Sequence, residues 1–462
     1  MKKGRHYSEY EVSIISQSVI GKSFREIIES ELIESDELNV KKGSLGNIIE
    51  ECLFGIEANV ESEPDFIDAG VELKVTPYKK NKDNTLSAKE RLVLNMIDFN
   101  TEYANHFETS HFWFKNNKLQ VLWYLYEENK ANLDLKITHE KLLDLSINED
   151  LEQIKKDWQT IIDKIRAGKA HEISEGDTMY LGACTKGANS KDTRTQPFSD
   201  VKAMRRAFCF KNSYMTQLVR KYIGDYSEVE KILKNTNKTF EEYVKSVVDK
   251  YKGLTQSELK TMFDIESTAK NLNGIIVARM FNVSGNLSNT DEFLKANIIP
   301  RTIRIEQNGR IKESFPFPTF KYNELVKEEW EDSEFRNTLE TTKYMFFVFE
   351  NDGTDYVFKG IKLWNMPETD IEEYVKPMWL KTKEVILNGN IVKGIDSTGC
   401  RITNFPGMSE NPVCHVRPHA QNAADTYPLP VKDAFTGLTE YTKHCFWLNN
   451  KYIEEILLSE LY

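Results

Sequence analysis

A mixed α/β fold, of the α/β or α+β layer type and repeated in two successive halves, is predicted by three observations. Residues 70–77 alternate with period two, amphipathic segments of period three to four flank them, and an ordered series of weak echoes links the two halves of the chain. In residues 42–56, Leu45, Ile48, Ile49, Cys52, Leu53 and Ile56 recur at steps of three and four, which predicts a helix with Ser44 as its cap. Over 70–77, Val71, Leu73 and Val75 alternate with Glu72, Lys74 and Thr76, and Pro77 is expected to end this strand. Val121-Leu122-Trp123-Tyr124-Leu125-Tyr126 is continuously apolar or aromatic, as in a strand covered on both faces. Leu151 to Ala167, with Trp158, Ile161, Ile162 and Ile165, reads as a long helix stopped by Gly168.

The echoes are collinear. Asp65-Phe66-Ile67 is repeated as Glu292-Phe293-Leu294, and Lys89-Glu90 as Lys312-Glu313. Trp158 stands ten residues before Gly168, as Trp379 does before Gly389. Ala188-Asn189 with Asp192-Thr193 resembles Asn422-Ala423 with Asp425-Thr426, and Phe208 to Tyr214 resembles Phe446 to Tyr452. The offsets stay between 221 and 238 residues, which fits a duplication of domain size with loop insertions. The expected organisation is a first domain over 1–223, a polar linker over 224–240 and a second domain over 241–462.

The chain has 462 residues, enough for two such cores, and ordinary globular composition with 40% hydrophobic and 29% charged residues excludes disorder or a fibre. No apolar run is long enough to span a bilayer and no apolar segment follows Met1-Lys2-Lys3, so a soluble cytoplasmic protein with no membrane partner is expected. The six cysteines show no metal-binding spacing and are expected to be reduced and mostly buried. A net charge of −11 disfavours indiscriminate adhesion to nucleic acid, yet Lys186 to Lys221 carries nine basic and two acidic residues, a local excess of seven positive charges.

Chemistry concentrates at Pro64-Asp65 and Glu72-Leu73-Lys74. Strand alternation puts Glu72 and Lys74 on one face, and an Asp at the approach to the strand can converge on them. Two carboxylates suit Mg2+, which takes oxygen ligands and keeps several waters. The lysine can orient an attacking water or offset charge in the transition state. The upstream helix offers Glu50 or Glu51 as a further carboxylate, and Lys115 and Lys118 precede the next strand. The plain alternative is a solvated edge strand with charges paired by chance.

Beyond that pattern, Lys42-Gly43-x-x-Gly46-x-x-x-Glu50, Asp65-Phe66 with Gly70-Val71-Glu72-Leu73-Lys74, Glu108-Thr109-Ser110-His111, Val121-Leu122-Trp123, Asp157-Trp158, Tyr180-Leu181, Lys186 with Ala188-Asn189, and Lys211 resemble the MutH family over residues 10–222. That family holds a mismatch-repair nicking endonuclease and restriction endonucleases that cut at GATC. The resemblance implies a Mg2+-dependent endonuclease of the PD-(D/E)xK fold, acting on duplex DNA on the 5′ side of the G of GATC. It assigns Asp65, Glu72 and Lys74 to the catalytic core, Glu50 to the helix carboxylate, and Asp65, Glu72 and Glu50 to the metal. A third family lysine falls near Lys115, preferred to Lys118 although two extra residues intervene here. Lys186-Gly187-Ala188-Asn189 resembles the base-reading loop, where small residues let the backbone approach base edges. Lys191, Arg194, Arg205, Arg206 and Lys211 are expected to hold phosphates. Cys209 stands where the nicking enzymes carry a larger aromatic residue, so their response to adenine methylation is not carried over.

Projection of the site by 227 residues places Ile299 at Glu72 and Arg301 at Lys74, with Glu292 at Asp65, so the second copy should not cleave. Arg417, His419 and Asn422 lie in its counterpart of the base-reading loop. The second domain is expected either to bind another GATC as an effector or to buttress the first. A palindromic site needs two cuts, so the chain, for which a monomeric state in solution is compatible with this reading, is expected to pair on DNA or to nick twice. The rival functions are a repair nickase and a GATC-binding regulator that does not cut.

Overall fold

Alternation along the first strand organises what surrounds it. In the computed structural model, which describes residues 4–32, 45–57, 63–187, 192–224, 229–234, 236, 238–267, 269, 271–311, 314–458 and 461, β1 (Glu72–Lys80) pairs in parallel with β4 (Lys118–Leu125). With β2 (Leu86–Ala88) and β5 (Ile137–Asp144) they form a sheet of order β2-β1-β4-β5. Leu73 packs into a core with Val12, Phe24, Ile49 and Phe54 from the N-terminal helices, so alternation turns Glu72 and Lys74 to the opposite face.

Pro77 does not end the strand as expected. Its carbonyl accepts from the Lys89 N–H on the β2 side, and β2 pairs with β1 only from Tyr78 onward. The missing proline N–H therefore meets an edge where no ladder bond is lost. The helix expected over 42–56 begins, among the described residues, at Leu45, while Ser44 lies outside them. After Ile48 it widens into a π-helical turn, Ile49–Phe54, closed by Gly55.

A second sheet, β3 (Leu92–Met96), β9 (Arg206–Phe210) and β6 (Leu181–Thr185), has the order β3-β9-β6, and β7 (Thr193–Gln196) with β8 (Ser199–Met204) makes a hairpin. The helix Leu151–Arg166 buries Trp158, Ile161 and Ile165, with Gly168 just past its end. Buried Asp157 ties that helix to β6, accepting the N–H groups of Met179, Tyr180 and Leu181 at 2.8, 2.6 and 2.9 Å.

The chain divides into two compact units, Met1–Glu241 with Asn289–Asn297, and Glu242–Ser288 with Ile298–Tyr462. This differs from the expected boundaries in two respects. Ile232, in the expected linker, is buried, and the Ile232 and Leu233 N–H groups donate to Glu292 at 3.0 and 2.9 Å, which stitches that segment into the first unit. Glu292 therefore has no Asp65-like position; it lies in a helix, Asp291–Ala296, that packs within the first unit.

The second unit contains β10 (Ile298–Ile305), β11 (Phe315–Phe320), β12 (Lys343–Asn351), β13 (Tyr356–Trp364), β14 (Val392–Ile395), β15 (Arg401–Thr403), β16 (Cys414–Pro418), β17 (Thr426–Pro428), β18 (Glu440–Thr442) and β19 (His444–Leu448). Its sheets β10-β12-β13 and β11-β19-β16 have the strand directions of β1-β4-β5 and β3-β9-β6. The Arg205 N–H donates to the Asp192 carbonyl at 3.2 Å, and the Lys443 N–H to the Asp425 carbonyl at 3.0 Å. Gly168 and Gly389 end corresponding helices with φ of +69° and +59°. A Cβ on either would come within 2.6 Å of a carbonyl oxygen, that of Phe198 or Lys432, so both the left-handed backbone and the close approach require glycine. Lys312-Glu313 lies outside the described residues. Five cysteines are buried and Cys400 is exposed. Among the described residues no helix is long and apolar enough to cross a membrane.

Candidate active site

The open edge of β1 gathers the charged residues of the expected site. A turn at Phe66–Val71, closed by the Phe66 N–H donating to the Val71 carbonyl at 2.9 Å, folds Asp65 back onto the strand. There the Leu73 N–H donates to Asp65 Oδ2 at 2.8 Å and the Asp65 N–H to Glu72 Oε2 at 3.3 Å. Lys74 Nζ lies 2.7 Å from Glu72 Oε1, and Lys115 Nζ lies 3.6 Å from Glu72 Oε2 while donating to the Glu63 carbonyl. Lys118 points elsewhere and pairs with Glu9 at 2.7 Å on the surface. Between the two candidate lysines, the fold brings Lys115 to the carboxylates.

Burial pushes the Asp65 carboxyl up to about 7; the neighbouring Glu72 and Glu50 charges add to this, against the Leu73 N–H and Lys74. Burial likewise raises Glu50, whose charged surroundings are Lys74, Glu72, Glu51 and Lys115. Sequence reasoning missed Arg5, whose guanidinium donates to the Pro64 carbonyl at 2.7 Å and the Asp65 carbonyl at 3.3 Å. No motif marks it, because it acts on backbone atoms sixty residues away.

Among the described residues no three His, Cys, Asp or Glu side chains form a ready metal-binding group, so the expected trio of Asp65, Glu72 and Glu50 is not preassembled. Glu72 is drawn instead to the two lysine ammonium groups. The donor chemistry still fits Mg2+, since two carboxylates with water suffice for that ion. Burial and mutual repulsion disfavour the charged forms of Asp65 and Glu50, and a divalent cation bound between them would offset that penalty.

The basic stretch divides into surface and interior. Lys186 and Arg194 are exposed, with Arg194 2.9 Å from Asp192; Gly187 and Arg205 are half-buried. Ala188, Asn189 and Lys191 lie outside the described residues. Arg206 and Lys211, expected to hold phosphates, are each only 2% exposed. Arg206 donates to the Ala183 carbonyl at 2.8 Å and Lys211 to the Thr178 carbonyl at 2.5 Å, so both cations serve interior acceptors on and beside β6. Alternation puts Arg206 inward on a strand buried at every position, a cue that a count of charges ignores.

In the second unit, Arg417 and His419 are exposed around Trp447, with the guanidinium 4.3 Å from the ring centroid and the imidazole edge-on at 5.3 Å. Exposed Asn422 accepts from the Ala424 N–H and shapes the turn that follows. Ile299 pairs with Tyr344 and Arg301 with Phe346 across β10 and β12, as Glu72 pairs with Leu119 and Lys74 with Val121 across β1 and β4.

The family model described as DNA mismatch repair enzyme MutH matches residues 54–157. Type II restriction enzyme Sau3AI of Staphylococcus aureus is 37% identical, over 95% of this chain and 96% of that enzyme. The chain belongs to the MutH family. It is a type II restriction endonuclease homologue, and membership implies the restriction-endonuclease-like fold. DNA mismatch repair protein MutH of Vibrio campbellii is 27% identical over 48% of the chain and 97% of its own length. The Pasteurella multocida protein is 29% identical over 40% and 81%. Asp65, Glu72, Lys74 and Lys115 all fall in the family match, whereas Glu50 lies just before it.

Proposed function

We propose that the chain is a type II restriction endonuclease that hydrolyses double-stranded DNA on the 5′ side of the G of GATC with Mg2+, acting in the cytoplasm. The observation that carries this reading is the convergence of Asp65, Glu72, Lys74 and Lys115 at one strand edge, with the Glu50 carboxyl within electrostatic reach of Glu72, Lys74 and Lys115. Full-length similarity to a restriction enzyme, against about half the chain for the repair proteins, supports restriction over repair nicking.

Asp65 and Glu72, with Glu50, are the residues that would hold Mg2+, which when bound polarises a phosphodiester oxygen and lowers the pKa of water. Lys74, held by Glu72, orients the attacking water, and Lys115 places a second positive charge where negative charge develops on the phosphoryl oxygens. The N–H of Leu73 fixes the rotation of the Asp65 carboxylate, and Arg5 holds its backbone. Lys186 to Asn189 read base edges, while Lys191, Arg194 and Arg205 neutralise phosphates.

The two units are tandem MutH-like domains in this reading. The second lacks the carboxylate at Ile299 and acts as a catalytically silent unit that binds another GATC through Arg417, His419 and Asn422; two chains meet on DNA to cut both strands. The test uses plasmids with zero, one or several unmethylated GATC sites, in Mg2+, beside Glu72→Ala. Linear fragments with 5′ GATC overhangs, absent in the variant and faster with several sites, are expected. Nicks alone, or no cutting of any substrate, would overturn the reading.

A further inference from the structure

A half-buried cation without a carboxylate partner among the described residues lies on β10 of the second unit, where Arg301 pairs with Phe346 as Lys74 pairs with Val121 on β1. Arg301 is half-buried on β10, and burial pulls its pKa down. Among the described residues it makes one hydrogen bond, at 3.3 Å to the carbonyl of its neighbour Pro300, and its guanidinium stacks 5.3 Å from the Phe315 ring centroid. Among the described residues no Asp or Glu acts to raise its pKa. A desolvated guanidinium has five donors in a fork shaped for paired oxygens, and leaving them unmet costs free energy that a bound anion returns.

Arg301 also lines a cavity of about 230 Å³ between β10 and the start of β11, together with Thr302, Arg304, Ser314 and Phe315. Ser314 adds a hydroxyl to that lining. Among the described residues lining it the one carboxylate, Glu306, accepts from the Tyr356 hydroxyl at 3.2 Å. In the first unit the matching edge of β1 carries Glu72 beside Lys74, a site that repels a phosphate until a cation intervenes. In the second, Ile299 removes the carboxylate and a permanent cation remains.

We propose that this cavity is a phosphodiester-binding site in which Arg301 grips a DNA backbone phosphate directly. The site rests on the reading of the second unit as a DNA-binding unit and adds to it an anchor outside the Arg417–Asn422 loop. Contact with one phosphate fixes register on the duplex and contributes about 0.9 to the dependence of log affinity on log salt.

The test uses the full-length chain in a Glu72→Ala background, which leaves DNA uncut. A fluorescent GATC duplex is titrated in EDTA between about 50 and about 200 mM KCl, where a one-phosphate slope is readable. Arg301→Met is expected to weaken the second duplex-binding step about tenfold and to lower its salt slope by about 0.9. Arg301→Lys should keep the slope while recovering only part of the affinity, because a point charge lacks the fork. An unchanged second step in Arg301→Met would overturn the proposal, and Arg301→Gln replaces the Met variant if the latter fails to fold. If no second duplex binds even before Arg301 is changed, the DNA-binding reading of the second unit falls, and thermal unfolding in inorganic phosphate then decides the cavity. A phosphate-dependent rise in Tm that Arg301→Met abolishes retains the anion site, and no such rise removes it.

Discussion

Replacing Lys115 or Lys118 by Ala tests which of the two lysines serves the proposed reaction, the one beside Glu72 or the one on the surface. Lys115 Nζ lies 3.6 Å from Glu72 Oε2, with side-chain exposures of 14% and 4%, so its field is weakly screened. At an effective dielectric of about 20, half a unit of negative charge developing about 5 Å from Nζ gains roughly 1.7 kcal/mol, close to 20-fold in rate. Lys115→Ala should therefore lower single-turnover cleavage of a GATC duplex by about 10- to 30-fold, and Lys115→Arg by less. Lys118 and Glu9 are 30% and 45% exposed, and such surface pairs contribute about 0 to 1 kcal/mol. Lys118→Ala should leave the cleavage rate within about twofold. Quench-flow under saturating Mg2+, with folded variants verified by circular dichroism, gives the answer. A slow Lys118→Ala beside an unimpaired Lys115→Ala would refute the assignment.

Stability experiments probe the frame around the site. Asp157→Asn turns one acceptor oxygen into a donor facing backbone N–H groups, and a loss of about 3 kcal/mol is expected in urea unfolding; a change below about 0.5 kcal/mol would contradict the role given to those bonds. Gly168→Ala forces a Cβ against the Phe198 carbonyl in a left-handed backbone, so a loss of about 2 to 3 kcal/mol should appear as a lower Tm. Burial holds His444 down to about 4, so below the ordinary imidazole value near 6.5 the unfolded chain binds the extra proton. His444 should therefore contribute a loss of roughly 2 kcal/mol between pH 6.5 and 5, growing toward pH 4, read in urea titrations as the difference in pH dependence between the native chain and His444→Gln. Arg194→Ala should reduce the salt slope of DNA binding by about 0.9 with little change in Tm, whereas Arg206→Ala should lower Tm; the reverse pattern would place Arg206 on the DNA.

The strand of Glu72 and Lys74 was legible because alternation is local, and the helix of Trp158 because seven of its sixteen residues are buried along one face. The site was legible to the extent that it depends on that strand. What the sequence could not resolve is set by distant partners. Pro77 looks like a stop until β2 is seen to give out beside it. The stretch around Ile232 looks like a polar linker because Glu292, which receives its backbone N–H groups, is sixty residues away. Lys211 looks like a phosphate ligand by its charge and is fixed instead to the Thr178 carbonyl. Charge alone does not tell a surface cation from one that satisfies an interior acceptor.

The two units separate what the architecture requires from what the chemistry requires. Both keep a parallel strand pair beside an antiparallel neighbour, a helix closed by a glycine that no other residue could replace without collision, and a backbone bond from Arg205 or Lys443 to the residue just before a hairpin strand. These features lie in the main chain, and losing one would expose or strain several others. The residues at the open strand edge are under no such constraint. Glu72 and Lys74 stand on β1 and Ile299 and Arg301 on β10, each strand paired in parallel with its neighbour, so a parallel pair of this kind does not by itself demand carboxylates. A half-buried carboxyl raised to about 7 at Asp65, beside Glu72, is a cost to the fold, and β10 of the second unit pairs in parallel with β12 without such a pair. Their presence in the first unit fits the hydrolysis proposed for that edge.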